Sequence, residues 1–145
     1  MHLSAVVFTG VNPWYTFYMV GIRTSFSGFS VDNIEKAEAF YSTILGLVVE
    51  NNGMGLKMQL PGGGMVFVYQ KENHHPATFT ILNFVVADID VAVDELLHKG
   101  ITFEHYTDMS QDEKGIARGI SQKQGPDIAW FKDPAGNILS VLQEA

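Results

Sequence analysis

The sequence predicts an α+β fold made of two copies of one unit, in which a strand and a helix are followed by three strands. Sliding the 145-residue chain along itself by 55 positions places Phe29 on Phe84. After a one-residue slip the match resumes and pairs Gly46 with Gly100. We therefore expect two βαβββ modules whose strands form a curved mixed sheet, with the helices on its convex side and a cleft on its concave side.

The residue spacing within each copy predicts the individual elements. Residues 27–31 and 82–86 alternate in the manner of a strand. Apolar residues then recur at helical spacing, with Asn33 and Asp88 at the N-cap positions and a glycine where each helix must end. Further strand-like runs follow at 47–51, 54–60, 65–70, 101–106, 116–121, 126–132 and 138–143. The second copy therefore has one run more than the repeat needs.

The composition excludes several classes of protein. The chain has no cysteine, which rules out disulfides, zinc ribbons, iron–sulfur clusters and thiol nucleophiles. Its net charge of −7 disfavours nucleic acid and anionic lipid surfaces as partners. No apolar stretch reaches the roughly 20 residues of a spanning helix, and no lysine or arginine precedes residue 11. We expect a single cytoplasmic domain with neither nucleic acid nor membrane as a partner.

Two groups of motifs indicate a family. Residues 31–47 contain VDNIEKA, then AFY and LGL, and residues 131–139 read FKDPAGNIL. In this order around an internal repeat, the motifs resemble the vicinal oxygen chelate superfamily. Its members include glyoxalase I, extradiol dioxygenases, fosfomycin resistance enzymes and bleomycin resistance proteins. The resemblance covers about residues 24–143 and implies a glyoxalase-like pair of modules.

The resemblance also implies how the chain is divided. Residues 1–23 form an N-terminal extension outside the family match, and residues 24–145 form the glyoxalase-like domain. Within that domain, the expected parts are module one at about 24–70, a linker at 71–79 and module two at about 80–143.

In this family the concave face often holds one divalent metal, with ligands near the start of each first strand and in each last strand. Counting seven residues back from the two N-caps gives Phe26 and Ile81 as the equivalent positions. Aligning the last strands at an offset of 72 gives Val68 and Ser140. A catalytic divalent metal needs about three ligands drawn from His, Asp, Glu or Cys. We therefore predict no metal and no cofactor at this site.

Strand parity and the family positions together give the residues expected to line the cleft. They are Phe26, Gly28, Ser30, Val68, Ile81, Asn83, Glu104, Tyr106, Trp130 and Ser140. The flat ring of Trp130 could stack on a planar or cationic ligand. The similarity to bleomycin resistance proteins implies a homodimer that sequesters a small cationic or aromatic molecule. The leading hypothesis is therefore a metal-free binding protein of the glyoxalase and bleomycin-resistance type.

An enzyme of the same fold, such as a lyase, isomerase or dioxygenase-like protein, is the alternative interpretation. Glu104 or His105 would then act as the base, with a substrate oriented by Asn83, Tyr106 or Ser140. Both candidates have a simpler explanation. Glu104 is also consistent with a solvated carboxylate on a strand, and His105 has the parity of the helix-facing side chains and is expected to be structural.

Three further features leave their roles open. His74 and His75 precede Pro76 in the linker and are expected at the surface rather than on a metal. The polar run 107–115 is interpreted as a solvated loop, with a mobile lid as the alternative. A third hypothesis for the whole chain is a dimerisation or regulatory module with a filled cleft, which would bind no small molecule.

Overall fold

The structure is a computed structural model that describes residues 20–145. Of the predicted N-terminal extension, residues 1–19 therefore lie outside the described residues. The chain forms two α-helices, α1 (Ile34–Ala39) and α2 (Ile89–His98), and a π-helical turn (Phe40–Ile44) that continues α1. Its eight strands are β1 (Ser27–Val31), β2 (Val49–Asn51), β3 (Leu56–Gln59), β4 (Met65–Gln70), β5 (Thr80–Val85), β6 (Ala117–Arg118), β7 (Asp127–Lys132) and β8 (Ile138–Gln143). Within the described part, no helix has the length and apolar character needed to cross a membrane.

The strands form two four-stranded sheets with the same topology. The strand order is β1-β4-β3-β2 in the first sheet and β5-β8-β7-β6 in the second. In each sheet the first strand runs parallel to the last, and the other neighbours are antiparallel. Each sheet therefore belongs to one βαβββ module. The predicted α+β fold of two repeated modules is confirmed.

Local sequence signals set the ends of the helices. The Asn33 side chain accepts a hydrogen bond from the backbone N–H three residues later at 2.9 Å, and Asp88 does the same at 3.1 Å. Each cap therefore satisfies one of the unpaired N–H groups of a first helical turn. Gly46 and Gly100, which follow the helices, have φ angles of 69° and 89°. These angles lie in the left-handed region, which glycine adopts without strain because it has no Cβ.

The π-helical turn accounts for the one-residue slip in the repeat. Module one has one residue more than module two between the start of its helix and the glycine that follows it. The extra residue is accommodated in the turn, where the Leu45 N–H donates to the carbonyl of Phe40, five residues back, at 3.0 Å. As a result, the consecutive aromatic residues Phe40 and Tyr41 are both buried in the core.

The strand expected at 101–106 is absent, and this prediction is wrong. Only an isolated bridge at Phe103 connects the segment to β7. The Gln111 side chain accepts from the Tyr106 N–H at 2.7 Å and donates to the Glu104 carbonyl at 2.9 Å. A side chain from the following loop therefore bonds the backbone groups that a neighbouring strand would have paired. The run expected at 116–121 also contains only the two-residue strand β6.

The two modules are joined through one buried carboxylate. Asp133, in the turn between β7 and β8, accepts a hydrogen bond from the Tyr41 hydroxyl at 2.7 Å and another from Asn137 Nδ2 at 2.9 Å. Asn137 Nδ2 also donates to the Ser30 carbonyl at 2.9 Å. The turn motif of module two is therefore bonded to the helix and the first strand of module one.

The linker contributes a second connection between the modules. His74, expected at the surface, is half-buried, and its Nδ1 lies 2.7 Å from the Ser30 hydroxyl. Its Nε2 lies 3.0 Å from the Ala135 carbonyl, to which it donates. The surface prediction is therefore wrong for His74, because β1 and the turn of module two both pack against the linker. His75 is exposed, as expected.

Removing the Tyr41 hydroxyl should destabilise the protein. Hydrogen bonds to charged groups typically contribute about 2 kcal/mol, so we expect Tyr41→Phe to lower the free energy of unfolding by about that amount. Urea denaturation followed by circular dichroism measures this change. Tyr69→Phe, at an exposed position, is the control and should have little effect.

The same substitution should change the stability at alkaline pH. Burial, followed by the charge of Asp133, raises the pKa of Tyr41 far above its ordinary value. Because the folded state holds the neutral phenol, its contribution to stability is intact below pH about 10 and is lost as the pH rises above that value. Tyr41→Phe should therefore reduce the alkaline loss of stability. An identical loss in both proteins would contradict this assignment.

Candidate functional site

The cleft face of module two is the side of its sheet opposite the core. Leu139 and Val141 are buried in the core, so Ser140, between them on β8, faces the other way. Ser140 is paired with Asn83 on β5 and with Trp130 on β7. The Ser140 hydroxyl donates to Asn83 Oδ1 at 2.5 Å. The structure therefore places these three predicted residues side by side.

The ring of Trp130 is held in a fixed orientation. Its indole N–H donates to the hydroxyl of Thr80 at 3.1 Å. The ring of Tyr106 meets it edge to face, with the centroids 5.7 Å apart and an interplanar angle of 74°. Both side chains are half-buried, so one part of each ring contacts the protein and another remains accessible. Two aromatic rings at this angle form a corner against which a flat molecule can pack.

Glu104 lies near the Tyr106 hydroxyl, in more polar surroundings than the sequence suggested. Burial, followed by the negative charge of Glu104, raises the pKa of Tyr106. The Glu104 carboxylate is 3.8 Å from Lys132 Nζ, and both residues line a shallow groove of about 380 Å³ together with Lys99. The groove also has apolar walls, including Phe40 and Ile44, but Lys132 lies beside the carboxylate, so the expectation of a purely apolar environment for Glu104 is wrong.

Module one presents a second aromatic surface on its cleft face. Gly28 and Ser30 lie on this face of β1 as predicted, paired with Phe67 and Tyr69 on β4. The Phe67 and Tyr69 rings are stacked at 6.3 Å with an interplanar angle of 19°. The sequence analysis did not identify either ring. Phe67 and Tyr69 alternate with Val66 and Val68 along β4, and this alternation indicates that the two rings lie on the face opposite the core.

The predicted position of Val68 in the cleft is wrong. Val68 is fully buried and belongs to the core. Gly28 and Asn83 are equivalent in the repeat, and their partners on the last strands are Phe67 and Ser140. The true offset between the last strands is therefore 73 rather than 72, and a slip of one residue moves a side chain to the opposite face. Phe67 is the equivalent of Ser140 in module one.

Ile81 also differs from its prediction, because β5 is irregular. The register with β8 shifts between Thr80 and Leu82. Ile81 packs against the core, and Thr80 is the residue whose side chain reaches Trp130. A bulge re-aims side chains in this way, and single-sequence periodicity cannot locate it. Phe26 lies one residue before β1 and is 62% exposed.

Two other expectations concern the segment between α2 and β7. His105 is exposed, so its predicted structural role facing the helix layer is wrong, because no regular strand forms there to impose parity.

The run 107–115, for which a mobile lid was the alternative interpretation, is attached to α2 near the C-terminal end of the run. Lys114 Nζ lies 2.6 Å from Asp94, and Arg118 pairs with Asp90 at 2.7 Å. A hydrogen bond from Arg118 lowers the pKa of Asp90.

Comparison with known families matches residues 25–141 to the Glyoxalase/Bleomycin resistance protein/Dioxygenase superfamily. The chain belongs to this superfamily. No match was found among curated protein sequences. Similar solved structures include a glyoxalase family protein from Bacillus anthracis (19% identity, TM-score 0.58, covering 88% of this chain and 100% of that one). A member of the Glyoxalase/bleomycin resistance protein/dioxygenase superfamily from Sphaerobacter thermophilus is similar as well (22%, 0.59, 84% and 98%). The fosfomycin resistance protein FosX from Listeria monocytogenes is also similar (12%, 0.61, 86% and 94%). At these identities the structures support the fold alone.

The glyoxalase superfamily implies a metal site, but the residues at the equivalent positions do not fit one. With the corrected register, Phe26, Phe67 and Ser140 occupy three of these positions, and the bulge in β5 puts Thr80 in place of Ile81 at the fourth. Thr80 and Ser140 each offer only a hydroxyl, and these hydroxyls are hydrogen-bonded to Trp130 and Asn83. A divalent cation needs about three ligands drawn from imidazole, carboxylate or thiolate. Among residues 20–145, no three His, Asp or Glu side chains are grouped to hold an ion.

This donor set leads to a prediction for metal binding. Adding Mg²⁺, Mn²⁺ or Ni²⁺ to EDTA-treated protein should leave the melting temperature unchanged, because only a ligand that binds the folded state raises it. Differential scanning fluorimetry measures the shift, with His-tag-free protein as the sample. Inductively coupled plasma mass spectrometry of the purified protein provides the second readout. A stoichiometric cation that survives EDTA would contradict the donor argument.

Proposed function

We propose that residues 24–145 act as one glyoxalase-like domain, in the cytoplasm, that binds a small planar cationic or aromatic molecule without a divalent metal. The corner formed by Trp130 and Tyr106 is the observation that carries this proposal. The absence of cysteine in the sequence supports a reducing compartment. Because its neighbours in fold differ widely in sequence, the choice of ligand rests on this chain's own residues.

The geometry of the corner favours a flat ligand. The hydrogen bond to Thr80 fixes the plane of the Trp130 indole before a ligand arrives, which lowers the entropic cost of binding. Tyr106 meets that indole edge to face, so the two rings present surfaces of different direction. A planar molecule can stack on one ring while its edge contacts the other.

The charges around the corner favour a cation. The electron-rich face of an indole attracts a positive group, and the carboxylate of Glu104 lies close enough to raise the pKa of Tyr106. Lys132 offsets part of this charge at 3.8 Å. The net charge of −7 on the whole chain adds a long-range attraction for cations. Together these features support a positively charged aromatic compound as the ligand class.

We include a homodimer in this proposal because apolar side chains are exposed on the cleft faces of both modules. Phe26 and Val85 are each 62% exposed, and Tyr69 is 40% exposed. Clusters of exposed apolar side chains commonly mark a binding or assembly surface. A second copy of the chain that covers these faces would remove the apolar surface from water and enclose a ligand between two aromatic surfaces.

Replacing Trp130 should weaken binding of a planar aromatic cation. Proflavine is a suitable probe, and we expect Trp130→Ala to reduce its affinity about tenfold, since stacking and cation–π contacts contribute roughly 1–2 kcal/mol. Glu104→Gln should reduce the affinity by a smaller factor, and mainly at low salt. Isothermal titration calorimetry measures both changes.

In a Trp14→Phe background, Trp130 is the single tryptophan of the chain, so selective tryptophan excitation reports on it alone. Bound proflavine should quench its emission. The anionic analogue anthraquinone-2-sulfonate should bind more weakly than proflavine. Equal affinity of wild type and Trp130→Ala for proflavine would refute the proposed site.

The dimer proposal can be tested with two valines of nearly equal exposure. Val85 on β5 is 62% exposed, and Val91 on the outer side of α2 is 61% exposed. Val85→Glu should convert the dimer to a monomer, because it places a charge in a buried interface, whereas Val91→Glu should leave the dimer intact. Size-exclusion chromatography with light scattering measures the mass. A wild-type monomer at all concentrations would exclude the dimer.

The enzyme alternative has one observation in its favour. Burial, followed by the charge of Glu104, raises the pKa of Tyr106, so the two groups that would share acid–base work are electrostatically coupled. The ion pair with Lys132 and the exposure of His105 favour binding instead. If the protein turns over any compound that binds at the corner, Glu104→Gln and Tyr106→Phe should alter the pH profile of kcat. Unchanged profiles would remove this alternative.

A further inference from the structure

A second concave surface lies at the free edge of β5, where module two faces module one. It has a volume of about 430 Å³. Five consecutive residues, 82–86, line it, so it extends along the edge strand of the sheet. The other walls come from α2, from the end of the π-helical turn and from the loop after β3. Its main apolar side chains are Leu45, Leu60, Leu82, Phe84, Leu96 and Val141.

Comparison of the two modules shows why this groove exists. In module one, Tyr41 covers the inner face of β1, with its ring 5.9 Å from that of Phe29, and Phe40 packs beside it. The repeat places Glu95 and Leu96 of α2 at the positions of these two aromatic residues. The corresponding inner face of β5 therefore lacks an aromatic cover. Its apolar side chains are only partly buried, whereas the π-helical turn seals the equivalent space in module one.

We propose that this groove is a second binding site, for a compact uncharged apolar molecule. Its volume lies within the range of small-molecule sites, which are mostly apolar and contain few polar groups. Neither Trp130 nor Tyr106 lines this groove, so the site is distinct from the proposed aromatic corner, although Asn83 and Val85 border both surfaces.

The charges at the rim favour an uncharged ligand. Glu95 and Lys99 line the same groove and carry opposite charges. Lys99 Nζ donates to the Ile44 carbonyl at 3.0 Å, so its ammonium group is already engaged by module one. A charged head group would be attracted by one of these side chains and repelled by the other, so the pair gives no preference for either sign of charge. The apolar walls offer a charge little solvation, so a neutral molecule, which gains the apolar burial without that cost, fits the groove better.

The neutral fluorescent probe N-phenyl-1-naphthylamine tests the site directly. We expect saturable binding by the full-length wild type, with one probe per chain. Ala92→Phe fills the groove from α2 and should lower the affinity about tenfold or more, and Leu96→Trp, which replaces the missing aromatic cover, should do the same. Val91→Phe, on the exposed side of the same helix, should retain wild-type affinity. Trp130→Ala should retain it as well, which separates this site from the proposed function.

Hydrogen exchange of the wild-type protein provides a readout that does not depend on whether the variants fold. The probe should slow amide exchange in 82–86 and 92–96, which line the groove. Undiminished binding by folded Ala92→Phe and Leu96→Trp, protection confined to the neighbourhood of Trp130, or no saturable binding by the wild type would each overturn the proposal.

Discussion

The structure depends on the buried carboxylate of Asp133. Its two oxygens accept hydrogen bonds from the Tyr41 hydroxyl, the Asn137 side chain and the backbone N–H groups of Ala135 and Asn137. A buried charge is tolerated because each of these donors offsets the lost hydration. Three of these four donors belong to the turn between β7 and β8, and the fourth, Tyr41, belongs to the other module. One ionised group therefore shapes the turn and sets how the modules meet.

The π-helical turn is what allows Tyr41 to reach that carboxylate from module one. The extra residue places Phe40 and Tyr41 together in the core, where Phe40 also contacts Phe131 of module two. Module two has no such insertion, so α2 continues as a regular helix over its own first strand. A single inserted residue thus makes the two copies unequal: one helix seals the interface, and the other leaves a groove beside β5.

The two sheets also differ in what they present on their cleft faces. Module one presents the stacked rings of Phe67 and Tyr69. Module two presents an indole fixed by Thr80 and a partly buried hydrogen bond between Ser140 and Asn83. Neither face provides a set of carboxylate and imidazole donors, so the scaffold of the glyoxalase superfamily is retained with surfaces suited to aromatic contact. This combination is the basis of the metal-free binding proposed for the chain.

Sequence alone determined the features that depend on neighbouring residues. The repeat, the caps at Asn33 and Asp88 and the glycines after the helices follow from local spacing, and they were sufficient for the fold. Alternation within regular strands also predicted the side of the sheet on which Gly28, Ser30 and Asn83 lie, opposite the core.

Tertiary structure decided whatever depends on a distant partner. The register of β4 against β1 places Val68 in the core, and a bulge against β8 turns the partly buried Ile81 toward the core. The Gln111 side chain bonds the Glu104 carbonyl, which a neighbouring strand would otherwise have paired. The His74 ring is hydrogen-bonded to Ser30 in β1 and to the Ala135 carbonyl in the turn of module two. Each outcome was set by hydrogen bonds between residues far apart in sequence, whose pairing no local periodicity encodes.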